Sequence, residues 1–131
     1  MGVRGNGKTK QLIDLVNNAI NNEKGSVICI ERGKKLTYDI NYKARLIDIS
    51  AYEIESFAML KGFICGLYSG NYDISSIFID SLYKVASQSD AESAGQFLNW
   101  LEKFHEENGV QFTTTISAPV EEATDDIRKF F

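Results

Sequence analysis

The chain has 131 residues, of which 44% are hydrophobic and 11% aromatic, enough to bury a core in one domain spanning residues 1–131. With 10 Gly, one Pro and two Cys, it is neither a disordered or collagen-like chain nor a disulfide framework. A net charge of −4 argues against nucleic-acid binding, which needs a basic face. No apolar run approaches the roughly 18 residues of a membrane span and no signal peptide is evident, which predicts a soluble, cytoplasmic protein. Cys29 and Cys65 lie among apolar residues and are expected to be buried, reduced thiols.

The first half of the chain predicts one helix, two strands and a polar loop. Residues 8–22 carry apolar side chains at helical spacing. Residues 27–30 form a continuous apolar run, typical of a strand that is buried on both faces. The polar residues 31–43 are expected to form a loop, with a short extended piece near residues 36–40, and residues 44–49 predict a second strand.

Capping patterns predict where the later helices begin. Residues 50–53 (SAYE) and 89–92 (SDAE) both fit the capping box, in which a Ser at the first position and a Glu three residues later satisfy the free N–H groups. Gly62 and Gly66 weaken the first of these helices, which predicts close packing against a neighbour there. Pro119 suits the first turn of a last helix.

Two further strands complete the pattern. Residues 74–80 contain an apolar core, and residues 110–116 alternate between apolar and polar positions. Strands that alternate with helices indicate right-handed crossovers and a mainly parallel sheet. The predicted fold is therefore a three-layer α/β/α domain with four visible strands.

The strongest functional signal is a phosphate-binding motif at the start of the chain. The pattern G-x-x-x-x-G-K-[ST] is matched by Gly2, Val3, Arg4, Gly5, Asn6, Gly7, Lys8 and Thr9. Glycines in such a loop let backbone N–H groups surround a polyphosphate, and the helix that follows points its positive end at the same anion. Lys8 would contact the β- and γ-phosphates, and the Thr9 hydroxyl would coordinate Mg²⁺.

A second motif supports this interpretation. Residues 77–80 (IFID) form an apolar strand that ends in Asp80, the arrangement in which a carboxylate meets Mg²⁺ directly or through water. Apolar strands also end in Asp for reasons of turn formation, so the pattern gains its meaning from the phosphate loop that precedes it.

On residues 2–9, Glu31-Arg32 and residues 77–80, the chain resembles the P-loop NTPases, in particular small Firmicutes proteins often labelled twitching-motility ATPases. The resemblance implies binding of Mg²⁺ with ATP or another nucleoside triphosphate, and slow hydrolysis coupled to a partner. Lys8 and Glu31 are the candidates for catalysis, and Thr9 and Asp80 for the metal. Ser81 stands where many hydrolytic P-loop enzymes carry a glutamate, so Glu31 is the best substitute. The alternative interpretation of Glu31 is a solvated residue at the end of its strand.

The strand that normally leads into a phosphate loop is not visible, since only Met1 precedes Gly2. Such a strand lies centrally in the sheet of P-loop proteins. We therefore expect the first strand to be missing or truncated, leaving a gap between the strand that ends at Asp80 and the last strand.

Other functions remain open on the sequence. A small-molecule kinase would share the phosphate loop and use residues 31–45, which carry five basic side chains, as a lid. Those basic side chains also suit an arginine finger or a phosphate-bearing partner, although a solvated loop fits the net charge better. A non-catalytic nucleotide-binding module would act on a protein partner or on a second copy of the chain. Ser117 could sense the γ-phosphate or cap a turn.

Overall fold

The computed structural model describes residues 8–22, 25–33 and 43–116, with side chains in the first helix from Leu12 onward. Its helices and strands are, in chain order, α1 Lys8–Asn22, β1 Ser26–Glu31, β2 Arg45–Asp48, a 3₁₀ turn Ile49–Tyr52, α2 Phe57–Gly70, β3 Ile74–Ile79, α3 Leu82–Ala86, α4 Ala91–Asn108 and β4 Gln111–Thr114. The glycine loop before Lys8, the extended piece near residues 36–40, Ser117 and the helix expected from Pro119 lie outside these residues.

The four described strands form one parallel sheet in the order β2-β1-β3-β4. This confirms the mixed α/β class and brings the carboxyl ends of all four strands to one edge of the sheet. The predicted gap between β3 and β4 is wrong, because the two strands pair directly, with Ile79 opposite Thr114. Which strands pair is decided by contacts between distant segments, and the sequence pattern does not contain them.

Successive side chains of β1 point to opposite faces of the sheet and enter two different hydrophobic clusters. Helices cover both faces and bury both clusters. Val27 and Cys29 pack with α1 on one face. Ile28 and Ile30 belong to the larger cluster on the other face, which α2, α3 and α4 cover. The fully buried Phe97 of α4 stacks within this cluster, with its ring centroid 5.3 Å from that of Phe57. Burial on both faces explains the continuous apolar run of β1.

The start of α2 lies later than the capping box predicted. Asp48 caps the 3₁₀ turn by accepting a hydrogen bond from Ser50 N, and Glu53 has a left-handed φ of 54°, which stops the turn from continuing as a helix. Ser56 then caps α2 by accepting from Met59 N at 3.1 Å. In α4 the cap is Asp90 rather than the Ser before it.

A short helix directly after β3 was not predicted. The five residues of α3 are too few to show helical periodicity, and the helix is held by three buried side chains, those of Leu82, Val85 and Ala86. It follows immediately on Ser81, which has a left-handed φ of 61°. The chain therefore turns sharply at the carboxyl end of β3.

Two expectations on small side chains are wrong. Gly62 and Gly66 do not pack closely against a neighbour, since a Cβ placed on either would meet nothing within 4 Å. Cys29 is buried as expected, but Cys65 is exposed on α2, and both thiols are free.

Within the described part of the chain, no helix has the length and apolar character to cross a bilayer.

Candidate functional site

Two acidic side chains lie side by side at the carboxyl edge of the sheet. Glu31 is the last residue of β1 and Asp80 follows the last residue of β3. The two strands stay paired to this point, since Asp80 N donates to Ile30 O at 2.9 Å. Both side chains are almost fully buried, with 4% of Glu31 and 5% of Asp80 exposed. Alternation from Cys29 to Glu31 and from Phe78 to Asp80 places both carboxylates on the face of the sheet that α1 covers.

Thr115, just after β4, holds the carboxylate of Asp80. Its Oγ1 donates to Asp80 Oδ1 at 2.9 Å and accepts from Ser81 N at 2.8 Å. The residue is only 3% exposed, and its backbone N–H donates to Ile79 O at 3.0 Å. Thr115 was not predicted from the sequence, in which Ser117 was the candidate at the end of this strand. The alternation of β4 could have suggested it, because Thr113 and Thr115 share the face of Asp80.

Asp48, at the end of β2, is in register with Glu31. Its side chain joins the end of β2 to two neighbouring segments. Its Oδ1 accepts hydrogen bonds from Gly33 N at 2.8 Å and from both N and Oγ of Ser50. In the described ranges, no cluster of three or more His, Cys, Asp or Glu side chains is arranged to hold a metal ion. Mg²⁺ in nucleotide sites is commonly held by one or two carboxylates together with phosphate oxygens. Asp80, which the sequence predicts to meet Mg²⁺, and Glu31 beside it are the buried carboxylates at this edge.

Arg32 fastens the end of β1 to the neighbouring loops. Its Nε donates to Lys84 O at 2.6 Å, and one terminal nitrogen donates to Ile54 O at 3.1 Å. The guanidinium therefore stabilises the chain around α3 and the segment before α2. This engagement speaks against Arg32 as an arginine finger or as the arginine of a mobile lid.

The first turn of α1 lies toward the same edge of the sheet. Only three residues, 23–25, connect the last residue of α1 to the first residue of β1, so the helix runs antiparallel to β1 and begins near the strand's carboxyl end. Leu12 and Val16 fix it on the sheet by packing in the cluster that contains Cys29 and Phe78. Lys8 and Thr9 open this helix, and the positive end of its dipole faces the edge that carries the two carboxylates.

Burial and the two nearby carboxylates raise the pKa of a neighbouring thiol. Burial, together with the charges of Glu31 and Asp80, raises the pKa of the Cys29 thiol from 9.0 to about 12. Desolvation of the thiolate is the largest cause, and the two carboxylates add to it by repulsion. The side chains of Cys29, Glu31 and Asp80 therefore form one buried group with negative charge on the α1 face.

The two cysteines are expected to react very differently. Iodoacetamide at about pH 9 should alkylate the exposed Cys65 and leave Cys29 unmodified, because the thiolate is the reacting species. The raised pKa also implies that the stabilisation by protonated Cys29 is complete below about pH 9 and is lost as the pH rises toward about 12. Peptide mass mapping measures the alkylation, with a urea-unfolded sample as control. Rapid modification of Cys29 in the folded protein would contradict this placement.

The described residues define an α/β protein whose parallel sheet buries two adjacent carboxylates at its carboxyl edge, beside the first turn of a helix. A scan against protein-family models finds no match to the chain, and a search of curated proteins finds no significant match. The features of the chain that point to a function are therefore the motif in residues 2–9 and the two buried carboxylates.

Proposed function

We propose that the protein binds a nucleoside triphosphate with Mg²⁺ at the carboxyl edge of its sheet, as a P-loop NTPase. The observation that carries the proposal is the pairing of Glu31 and Asp80, both buried on the face covered by α1. Residues 2–9, which fit the phosphate-loop pattern, lead directly into the first turn of that helix. In open α/β sheets, ligands bind at the carboxyl ends of the strands.

Electrostatics explain why this edge suits a metal–nucleotide complex. Two carboxylates that lie next to each other place their negative charge at one point of the edge, and this charge attracts a divalent cation. Phosphate oxygens then complete the coordination of the cation. The Lys8 ammonium and the start of α1 supply positive charge for the same phosphates. Thr115 donates a hydrogen bond to one oxygen of Asp80 and so fixes the orientation of that carboxylate.

Thermal unfolding of the full chain tests binding. Mg²⁺-ATP at 100 times its dissociation constant should stabilise the protein by about 2.7 kcal/mol, a shift of several degrees. ATP with EDTA should give a smaller shift. Amide NMR signals of Glu31 and Asp80 should move on titration with the complex. The proposal fails if the protein shows neither a shift in unfolding temperature nor a change at these two residues.

Hydrolysis is proposed to depend on Glu31, which would orient the attacking water. Glu31→Gln keeps the size of the side chain and removes its basicity, so turnover should fall on the order of 100-fold while nucleotide affinity changes little. Phosphate release under single-turnover conditions measures this step. Glu102→Gln, on the exposed side of α4, is the matched control. An unaltered rate in Glu31→Gln would show that Glu31 is not catalytic and has only a structural role at the end of β1.

A non-catalytic nucleotide-binding module is the second candidate. It is favoured by Ser81, which follows Asp80 where a catalytic glutamate would stand and whose N–H is bound to Thr115. In that case the wild-type protein would bind Mg²⁺-ATP without releasing phosphate. The kinase alternative finds less support, because Arg32 is engaged with backbone carbonyls.

A further inference from the structure

A groove lies at the amino edge of the sheet, opposite to Glu31 and Asp80. It has a volume of about 400 Å³ and runs between the last two turns of α2 and the first residues of β1, β2 and β3. Ile28, Leu67 and Ile74 form its apolar floor. We refer to it as the amino-edge groove.

Glycines of α2 keep the groove open. Gly66 and Gly70 are four residues apart and therefore share one face of the helix, and both line the groove. A Cβ on either would enter space with nothing within 4 Å. Glycine inside a helix normally weakens it, and at Gly66 no close packing compensates for that weakening. What the missing side chains provide is room above the apolar floor.

The described residues that line the groove also include two basic side chains. Lys43 and Arg45 approach it at the start of β2, and they are the charged side chains among the described lining residues. On the other side, Asn71 Nδ2 donates to Ser26 Oγ at 3.3 Å. Basic side chains beside an apolar floor favour a ligand that is itself an anion. A guanidinium is well suited to bind the oxygens of a phosphate or carboxylate.

We propose that the amino-edge groove binds a small organic anion, with its phosphate or carboxylate at Arg45 and a flat apolar body over Ile28, Leu67 and Ile74. Small-molecule sites typically combine a mainly apolar lining with a small number of polar groups that orient the ligand, as this groove does. The inference is independent of nucleotide binding, because the groove and the two carboxylates lie at opposite edges of the sheet.

NMR titration with phenyl phosphate tests the proposal, with inorganic phosphate and benzyl alcohol as comparison probes. Phenyl phosphate should give saturable shifts at the amides of Ser26, Asn71 and Ile74, and each comparison probe should bind more weakly. Arg45→Gln should weaken binding roughly tenfold, as expected for a lost hydrogen bond to a charged group. Lys103→Gln, on the exposed side of α4, should leave it unchanged.

A pair of leucine variants separates filling of the groove from a general effect on α2. Gly66→Leu should abolish the shifts, whereas Gly62→Leu should retain them, because Gly62 is exposed on the same helix but does not line the groove. Leucine is the better helix former, so both variants should fold. Equal binding by both variants, or no saturable shifts in the wild-type protein, overturns the proposal. Shifts confined to Glu31 and Asp80 also overturn it and would support the phosphate loop instead.

Discussion

Replacing Lys8 with Ala should abolish the stabilisation that Mg²⁺-ATP gives the protein. The proposed phosphate site needs a point charge against the β- and γ-phosphates, and the adjacent edge of the sheet carries two buried carboxylates that would otherwise repel them. Without the ammonium group, the remaining attraction comes from backbone N–H groups, the helix end and the metal. The shift of about 2.7 kcal/mol expected for the wild-type protein at 100 times its dissociation constant should therefore vanish at the same ligand concentration.

Lys10→Ala is the matched control for this experiment. It removes the same charge two residues further along α1, outside the motif, so it changes the net charge of the chain equally. Unfolding scans of both variants without ligand show whether α1 still folds. If Lys8→Ala retained the full shift, or if Lys10→Ala lost it equally, the phosphate-loop assignment would fail and the nucleotide effect would be one of general charge.

The fold class could be predicted from the sequence because its signals are local. Apolar runs such as residues 27–30 and helical spacing in residues 8–22 reflect which faces are buried, and the structure gives α1 the predicted bounds. Helix starts were predicted less well. The segment at Ser50 has the right residues for a capping box. However, the Asp48 side chain accepts a hydrogen bond from Ser50 N, and Glu53 has a left-handed backbone conformation that ends the turn.

The candidate site was predictable in part for the same reason. Glu31 and Asp80 each end an apolar strand, and parallel strands bring their carboxyl ends together, so their proximity follows once the sheet is known to be parallel. Thr115 could not be assigned from its position alone, because its role depends on a hydrogen bond to a residue 35 positions away. The direct pairing of β3 and β4 is likewise a contact between distant segments.

Asp80→Asn should separate the metal site from the fold that surrounds it. The amide keeps the shape of the side chain, and its oxygen can still accept the hydrogen bond from Thr115. The volume of the side chain and the bond to Thr115 are kept, so the protein without ligand should still fold. Affinity for nucleotide in the presence of Mg²⁺ should fall on the order of 10–100-fold, the usual cost of losing a group that orients a bound metal.

Two measurements and a control variant decide this prediction. Calorimetric titration with and without Mg²⁺ should show that the metal no longer improves nucleotide affinity in Asp80→Asn. The pKa of the Cys29 thiol should fall from its wild-type value of about 12, because one of the charges that raise it has been removed. Asp73→Asn, which removes an exposed carboxylate at the opposite edge of the sheet, should change neither quantity. If the pKa of the thiol fell while the effect of Mg²⁺ on nucleotide affinity stayed the same, Asp80 would lie beside Cys29 as described. Asp80 would then be a structural partner of Thr115 and not part of a metal site.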